Sequence, residues 1–208
     1  MNRLRIGVLA SGGGTNLQVI IDSCERGEVD GDVVVVISNV ADARALVRAE
    51  EHGIDAYCFP HEGMTREQHE FDIIECLEKH KVNLVCLAGY LRMLTPAIVD
   101  RYAGRILNTH PALLPSFGGK GMHGINVHKA VIDYGAKISG CTIHVVTLEV
   151  DGGPILLQKA VPVLEDDTPE TLQERILREE HRLYPRAIQL FAEGKVKIEG
   201  RRARIIET

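Results

Sequence analysis

Two short polar clusters in the sequence contain the residue types needed for acid–base catalysis. Asn108 and His110 stand two positions apart at the end of a predicted strand, so strand alternation places both side chains on one side of the sheet. The Asn108 amide could donate a hydrogen bond to a carbonyl oxygen, and His110 could supply a proton or stabilise a developing oxyanion. Asp151, in the turn before Gly152-Gly153-Pro154, is the candidate carboxylate that would favour the charged form of the histidine. Taken singly, His110 could merely cap a strand and Asp151 merely form a turn, and spacing alone leaves open whether the three residues meet.

A metal site is an alternative interpretation of the histidines in this part of the chain. The candidates are His110, His123, His128 and His144. No H-E-x-x-H or H-x-x-E-H pair occurs among them, and no cysteine stands at ligand spacing beside them. We therefore predict no catalytic metal, and we expect His123 and His128, in or beside a glycine-rich segment, to be solvated.

A glycine-rich segment, Ser11–Asn16, separates the first predicted strand from a helix. Glycines let backbone N–H groups turn toward an anion, and the helix N-terminus adds partial positive charge, so the segment favours phosphate binding. It is not a Walker A loop, because Gly-Lys-Ser/Thr is absent, and Leu17 occupies the third glycine position of a dinucleotide fingerprint. The second strand also ends without the acidic residue that binds a ribose. The predicted ligand is therefore a phosphomonoester, and the alternative is a tight strand-to-helix turn without a ligand.

A carboxylate completes the apolar stripe of the predicted C-terminal helix. Glu180 falls in phase with four apolar residues at steps of four or eight, namely Leu172, Ile176, Tyr184 and Ile188. Because a carboxylate is rarely buried without a partner, Glu180 should meet either a polar ligand, such as an amine or a ribose hydroxyl, or an arginine such as Arg92 or Arg178.

Apolar periodicity predicts that an α/β fold positions these residues. Strands are predicted at Arg5–Ala10, Val33–Ile37, Ala56–Phe59, Leu84–Leu87 and Arg105–Asn108, with room for a helix between successive strands. This alternation indicates a parallel sheet covered by helices on both faces. Helix starts are marked by Thr65 at capping-box spacing from Gln68, and by Thr95-Pro96 and Thr168-Pro169.

The second half of the chain does not continue the regular alternation of short strands and helices. Pro115–Gly124 carries four glycines and no periodicity, which predicts a mobile surface loop. Longer strands are predicted at Lys137–Val146 and Ile155–Val163, then a helix from about Thr168 to Glu193, and finally a hairpin of Val196–Ile198 with Arg204–Ile206. The sequence contains no internal repeat or linker, so we predict a single domain.

Composition limits the classes of partner. The chain has 208 residues and a formal net charge of −5, which disfavours binding to nucleic acid or an anionic membrane through a broad basic surface. No apolar run is long enough for a membrane span, the N-terminus does not fit a signal peptide, and the five scattered cysteines suggest reduced, mostly buried thiols. We therefore predict a cytoplasmic protein that binds small molecules.

Four motifs resemble those of folate-dependent formyltransferases, and the likeness covers essentially the whole chain. They are Ser11–Asn16, Leu87–Leu94, Asn108–Pro115 and Asp151–Pro154. An N-x-H-P-[AS]-L-L-P run with a downstream D-G-G-P is specific to this superfamily, and the chain is most similar to its phosphoribosylglycinamide formyltransferase family. The resemblance implies one formyltransferase domain over residues 1–208, with a Rossmann-like, open, twisted and mostly parallel sheet. It also implies a phosphate-binding half over about 1–110 and a folate-site and C-terminal half over about 111–208.

The resemblance further implies substrates and site residues. Asn108, His110 and Asp151 would be a catalytic trio that transfers a formyl group from 10-formyltetrahydrofolate to the amine of phosphoribosylglycinamide. Contacts to phosphoribosylglycinamide would come from Gly14, Thr15, Asn16 and Glu180. The folate site would comprise Arg66, Leu91, Arg92, Met93, Leu94, Asn108, Thr147, Leu148, Glu149, Val150 and Asp151. Neither a metal nor a nucleic-acid or membrane partner is implied, and the chain would be a monomer or a homodimer.

Two other functions stay open at this point. A non-catalytic phosphate-binding module would explain the glycine loop but would leave the trio and Glu180 without a purpose. A formyltetrahydrofolate hydrolase would use the same trio, although such hydrolases carry an N-terminal regulatory domain and methionyl-tRNA formyltransferases an extra C-terminal domain. Two features depart from the family pattern: within the segment Ser116–Ala136, the run Gly118–His123 differs from the shorter loop of some members, and Thr109 stands where many members have isoleucine.

Overall fold

The computed structural model describes residues 3–206, which form a single α/β domain. Its strands are β1 (Leu4–Ala10), β2 (Gly31–Ser38), β3 (Asp55–Cys58), β4 (Leu84–Leu87), β5 (Ile106–His110), β6 (Ile138–Val145), β7 (Ile155–Pro162), β8 (Val196–Glu199) and β9 (Arg202–Ile205). Its helices are α1 (Thr15–Glu25), α2 (Arg44–Glu51), α3 (Arg66–Lys79), α4 (Pro96–Arg101), α5 (Ile125–Tyr134) and α6 (Pro169–Ala192). Each predicted strand and the long C-terminal helix are confirmed, with ends that differ by one or two residues.

The strands form one open sheet in the order β3-β2-β1-β4-β5-β6-β7-β9-β8. Strands β1 to β5 are parallel to one another, whereas β6 runs antiparallel to β5 and β7 antiparallel to β6. The strand order reverses at β1, which has β2 on one side and β4 on the other. In open α/β sheets such a switch point leaves a ligand crevice at the carboxyl ends of the strands.

Helices cover both faces of the sheet, as the alternation of strands and helices predicts. On one face, buried residues of α1, α2, α5 and α6 share a core with the sheet. On the other face, α3 and α4 pack through Ile73, Leu77, Ile98 and Val99. Burying a side chain of this size contributes about 1.5–3 kcal/mol relative to leaving it exposed, so each helix is fixed against the sheet by a few such residues.

The helix starts lie where the sequence marks them. Thr65 accepts a hydrogen bond from the backbone N–H of Gln68 and forms a complete capping box with it. Thr95 and Thr168 are the N-caps of α4 and α6, and each is followed by proline at the first helical position. These local signals are reliable because a cap satisfies backbone N–H groups that the helix itself leaves unpaired.

The segment Pro115–Gly124 is irregular, as expected, and lies between β5 and α5. All five cysteines are free, and four of them are buried, which agrees with the sequence-based expectation. Within residues 3–206 no helix is long and apolar enough to cross a membrane.

Candidate active site

The carboxyl ends of β1, β4 and β5 open into a cavity of about 630 Å³. Its wall combines the start of α1, the loop after β4, the end of β5, the loop before α5, residues 144–151 and one face of α6. The predicted site residues all contribute to this wall except Gly14 and Arg66. The fold therefore brings together residues from both halves of the chain.

His110 and Asp151 lie side by side in this wall. His110 is 3% exposed, and its Nδ1 lies 3.6 Å from Asp151 Oδ2. Its Nε2 donates a hydrogen bond to the carbonyl oxygen of Phe117 at 2.8 Å. Asp151 in turn accepts a hydrogen bond from the backbone N–H of Gly119 at 2.9 Å. The loop before α5 thus contacts both residues, and each nitrogen of the His110 ring faces an acceptor oxygen.

The turn that carries Asp151 requires a glycine at position 153. Asp151 has a positive φ of 52°, a conformation that aspartate tolerates better than most residues. A side chain at Gly153 would collide with the carbonyl oxygen of Val145, whereas one at Gly152 would meet only the exposed side chain of Glu149. The Asp-Gly-Gly sequence therefore allows a tight return into β7 that aims the carboxylate at His110. Asp151 is both a turn residue and a neighbour of the histidine, so the two interpretations of its sequence position do not exclude each other.

Asn108 is oriented by a residue that the motif analysis considered only as a metal ligand. The Asn108 amide nitrogen donates a hydrogen bond to His144 Nε2 at 3.2 Å. Burial lowers the pKa of His144, so its ring is neutral near neutral pH and Nε2 is able to accept this bond. Among residues 3–206 no group of three or more histidine, cysteine, aspartate or glutamate residues is placed to hold a metal ion.

Glu180 is buried, 6% exposed, and its partners are neutral side chains rather than an arginine. Thr109 Oγ1 donates to Glu180 Oε1 at 3.0 Å, and Asn16 Nδ2 donates to Glu180 Oε2 at 3.2 Å. The alternative of an ion pair with Arg92 or Arg178 is wrong, because neither guanidinium comes within ion-pair distance. Burial raises the pKa of the Glu180 carboxyl, and the two hydrogen bonds oppose this effect.

Asn16 leaves one acceptor unused at the same place. Its Oδ1 is buried and has no hydrogen-bond partner within the described part of the chain. A buried acceptor without a donor costs free energy. Together with the Glu180 carboxylate, it makes this part of the cavity rich in acceptors and suited to a ligand that donates hydrogen bonds.

The glycine loop is supported from α2. Ala45 N–H donates to the Gly12 carbonyl at 3.1 Å, and Arg48 Nε donates to the Gly13 carbonyl at 2.9 Å. Gly14 is the N-cap of α1 with a φ of 69°, and a side chain there would lie 2.9 Å from the Ala45 Cα. Gly14 is thus required by the fold itself and does not line the cavity, whereas Gly12 and Gly13 have open space where a side chain would be.

The loop after β4 is fixed at both ends. At its start, Ser11 N–H donates to the Gly89 carbonyl at 3.1 Å, and Ser11 Oγ accepts from Leu91 N–H at 3.0 Å. At its end, the buried Glu70 carboxylate accepts from Thr95 N–H at 2.7 Å. Between these points, Leu91 and Met93 expose 66% and 52% of their surface. The loop therefore presents large apolar side chains at the mouth of the cavity.

The remaining predicted folate residues divide into two groups. Thr147, Leu148, Glu149 and Val150 line the cavity beside Asp151, and Leu148 and Val150 extend its apolar rim. Arg66 does not line it, because it begins α3 as an exposed residue outside the cavity wall.

The expectation that His128 is solvated is wrong, because it is only 1% exposed. Helix α5 begins at Ile125 and turns Val127, His128 and Val131 inward, so the loop expected around His128 has already ended there. Burial, followed by the proximity of His110, lowers the pKa of His128 to about 4. His123 is exposed, as expected.

Comparisons with known proteins agree with this geometry. Residues 4–188 match the sequence profile of the family described as formyl transferase. The chain is 39% identical over 196 residues to the phosphoribosylglycinamide formyltransferase of Escherichia coli, and the alignment covers 94% of this chain and 90% of that protein. This chain belongs to the phosphoribosylglycinamide formyltransferase family. The prediction of a formyl-group transferase family is thereby confirmed.

Two further proteins are similar to this chain: one has a crystal structure, and the other is a longer protein with three functions in its name. The crystal structure of glycinamide ribonucleotide transformylase 1 from Symbiobacterium toebii superimposes with a TM-score of 0.94 at 49% identity, covering 99% of this chain and 95% of that one. The predicted formyltransferase fold is thus confirmed. The chain is also 42% identical over 198 residues to the trifunctional purine biosynthetic protein adenosine-3 of Gallus gallus, where 95% of this chain spans 19% of the longer protein.

Proposed function

We propose that this protein transfers the formyl group of 10-formyltetrahydrofolate to the amine of phosphoribosylglycinamide, a step of de novo purine biosynthesis. The observation that carries the proposal is the meeting of Asn108, His110 and Asp151 in one cavity of a formyl transferase fold. The activity named for the Escherichia coli relative supports this choice of acceptor. We expect the protein to act in the cytoplasm as a monomer or homodimer, without nucleic-acid or membrane partners.

The phosphorylated acceptor fits the glycine-loop end of the cavity. Thr15 and Asn16 line the wall where α1 begins, and the first N–H groups of a helix have no intrahelical partners and attract anions. The Glu180 carboxylate and the unpaired Asn16 Oδ1 would then accept hydrogen bonds from the amine or from ribose hydroxyls. A local phosphate site of this kind suits a protein whose net charge is −5.

The folate donor fits the opposite, apolar end. Leu91, Met93, Leu148 and Val150 expose apolar surface at the mouth of the cavity, and exposed apolar clusters of this kind mark ligand-binding surfaces. Arg66 stands outside the wall and would meet only a part of the folate that projects from the cavity.

In this scheme the protein lowers the barrier mainly by binding the two substrates side by side, and it forms no covalent bond to either of them. Placing the amine beside the formyl carbon can contribute about 7–11 kcal/mol toward lowering the barrier. The amine nitrogen forms a bond to the formyl carbon, and the resulting tetrahedral oxyanion is stabilised by the Asn108 amide and protonated His110. Nε2 of His110 would exchange its hydrogen bond to the Phe117 carbonyl for one to this oxyanion.

Collapse of the tetrahedral species completes the transfer. The bond between the formyl carbon and the folate nitrogen breaks, and a proton passes from the attacking amine to that nitrogen. Asp151, whose Oδ2 lies 3.6 Å from His110 Nδ1, would hold the imidazole ring in place and assist this proton transfer through water. No covalent enzyme intermediate and no metal takes part in this scheme.

The proposal is tested by supplying 10-formyltetrahydrofolate to the purified protein with and without phosphoribosylglycinamide. The expected result is formylated acceptor in equal amount to tetrahydrofolate, with neither product formed when the acceptor is omitted. Release of formate in the absence of the acceptor would show that the protein is a hydrolase and not a transferase. Phosphate-ester binding without either reaction would favour a non-catalytic binding module.

A further inference from the structure

Thr109 stands between the two catalytic candidates Asn108 and His110, but its side chain forms a hydrogen bond to a third residue, Glu180. Its hydroxyl donates to Glu180 Oε1 at 3.0 Å, across 71 positions of the chain. Thr109 and Glu180 both line the cavity. An aliphatic side chain of the same shape would fit this strand position but could not donate the bond.

Glu180 depends on such donors because, among residues 3–206, no lysine, arginine or histidine lies within ion-pair distance of its carboxylate. The carboxylate is buried, and the two donors recorded for it within residues 3–206 are the Thr109 hydroxyl and the Asn16 amide. The Thr109 bond occupies one carboxylate oxygen and the Asn16 bond the other. A buried carboxylate with two neutral partners retains acceptor capacity for a ligand, since it offers about four lone-pair positions.

The other titratable groups near Glu180 do not supply a charge that could replace these donors. Cys141 on β6 is fully buried, and burial, followed by the proximity of Glu180, raises the pKa of its thiol to about 12. Tyr184 on α6 is also fully buried, and burial raises the pKa of its hydroxyl well above the usual value. Both groups are therefore neutral near neutral pH, and the state of Glu180 depends on its hydrogen bonds and on the ligand.

We propose that Thr109 is a positioning residue for the acceptor substrate: its hydroxyl holds the buried Glu180 carboxyl group in one rotation, so that Glu180 and Asn16 Oδ1 together receive the donor groups of that substrate. This inference rests on the proposed function for the identity of the acceptor. The arrangement of Thr109, Glu180 and Asn16 belongs to the free protein and does not depend on that identity.

The test compares Thr109→Val, which keeps the shape and removes the hydroxyl, with Thr109→Ser, which keeps the hydroxyl. In Thr109→Val the KM for phosphoribosylglycinamide should rise about tenfold, the scale for a hydrogen bond to a charged group, whereas the KM for the folate should change little. Thr109→Ser should behave like the parent protein. Valine is favoured in strands, so both variants are expected to fold.

A second measurement does not require turnover. The Glu180 carboxyl is titrated by carbon-13 NMR in the free protein, with Glu180→Gln to assign the resonance. Thr109→Val should titrate at a higher pH than the parent, because a bond to the charged form is lost, and Thr109→Ser should restore the parent value. An unchanged titration and an unchanged KM in Thr109→Val would overturn the positioning role. If the parent protein does not formylate phosphoribosylglycinamide, the proposed function fails, and the titration still decides the role of Thr109.

Discussion

Asn108 and His144 are register partners on the antiparallel strands β5 and β6, and the Asn108 amide donates a hydrogen bond to His144 Nε2 at 3.2 Å. The other ring nitrogen of His144 donates to the Val145 carbonyl at 3.3 Å. Burial lowers the pKa of His144, which keeps the ring in the neutral form that this pattern of bonds requires. The pair fixes the rotation of the Asn108 amide and leaves its second N–H for a ligand.

We predict that His144→Leu lowers kcat about fivefold, because loss of one neutral hydrogen bond of about 1 kcal/mol lets the Asn108 amide rotate out of its reactive orientation. Steady-state kinetics with both substrates will measure this effect, and both KM values should change little. His181→Leu is the control, since His181 is a half-buried histidine that does not line the cavity. Equal losses in the two variants would contradict an orienting role for His144.

His110→Asn should lower turnover about a hundredfold or more, the scale for loss of a positioned acid–base group. Calorimetric binding of each substrate should be nearly unchanged, because the proposed contacts of His110 form mainly in the transition state. Normal turnover in this variant would remove His110 from the mechanism.

Asp151→Asn tests whether His110 and Asp151, 3.6 Å apart, act as one unit. The single variant should lose most of its turnover. Combining it with His110→Asn should cost little more than His110→Asn alone, because residues that act together have non-additive effects. Additive losses in this double-mutant cycle would assign the two residues independent roles.

We expect two glycines of the glycine loop to have different roles: Gly13 serves ligand binding, and Gly14 serves the fold. Gly13→Ala places its methyl group in open space, so it should leave unfolding stability within about 0.5 kcal/mol of the parent while weakening the binding of phosphoribosylglycinamide. Gly14→Ala should instead lower stability by about 1–2 kcal/mol, because its φ of 69° disfavours a side chain. Urea unfolding and calorimetry on both variants distinguish the two effects. If Gly13→Ala weakens folate binding equally, the loop does not serve the phosphate.

Much of the fold is predictable from the sequence because its signals are local. Short apolar runs, most of them with β-branched residues, identify the strands, and the capping residues Thr65, Thr95 and Thr168 mark the first residues of three helices within one position. The spacing of the motifs left open whether His110 and Asp151 meet, and only the resemblance implied it; the antiparallel return of β6 and β7 brings the two residues together.

The parts that sequence reasoning missed depend on long-range pairing. His144 reaches Asn108 only through the register of β5 with β6, which no local pattern specifies. Glu180 meets Asn16 across 164 positions and Thr109 across 71, so its burial was predictable but its partners were not. His128 was wrongly predicted to be solvated, because the glycine-rich segment before it gives no local signal that α5 begins at Ile125.

Burying the Glu180 carboxyl group in the binding cavity should cost folding stability once the group ionises. Burial raises the pKa of its carboxyl above the usual 4.5. A carboxyl with a raised folded-state pKa contributes stability that is fully present below the unfolded-state pKa and is lost as pH rises through the folded-state pKa. Relative to an amide of the same shape, the parent protein should therefore lose stability from about pH 4.5 upward until Glu180 is fully ionised.

Glu180→Gln removes this titration, so the free energy of unfolding of the variant minus that of the parent should increase with pH over that window and then level off. At neutral pH the variant should be at least as stable as the parent, yet it should bind phosphoribosylglycinamide more weakly, because the buried negative charge that would attract the amine is gone. Urea unfolding at successive pH values measures the first effect and calorimetry the second. Glu174→Gln, at an exposed position past the first turn of the same helix, is the control and should leave both quantities nearly unchanged. A pH-independent stability difference for Glu180→Gln would mean that Glu180 does not carry a destabilising buried charge. Undiminished acceptor binding would mean that this charge does not contribute to binding the substrate.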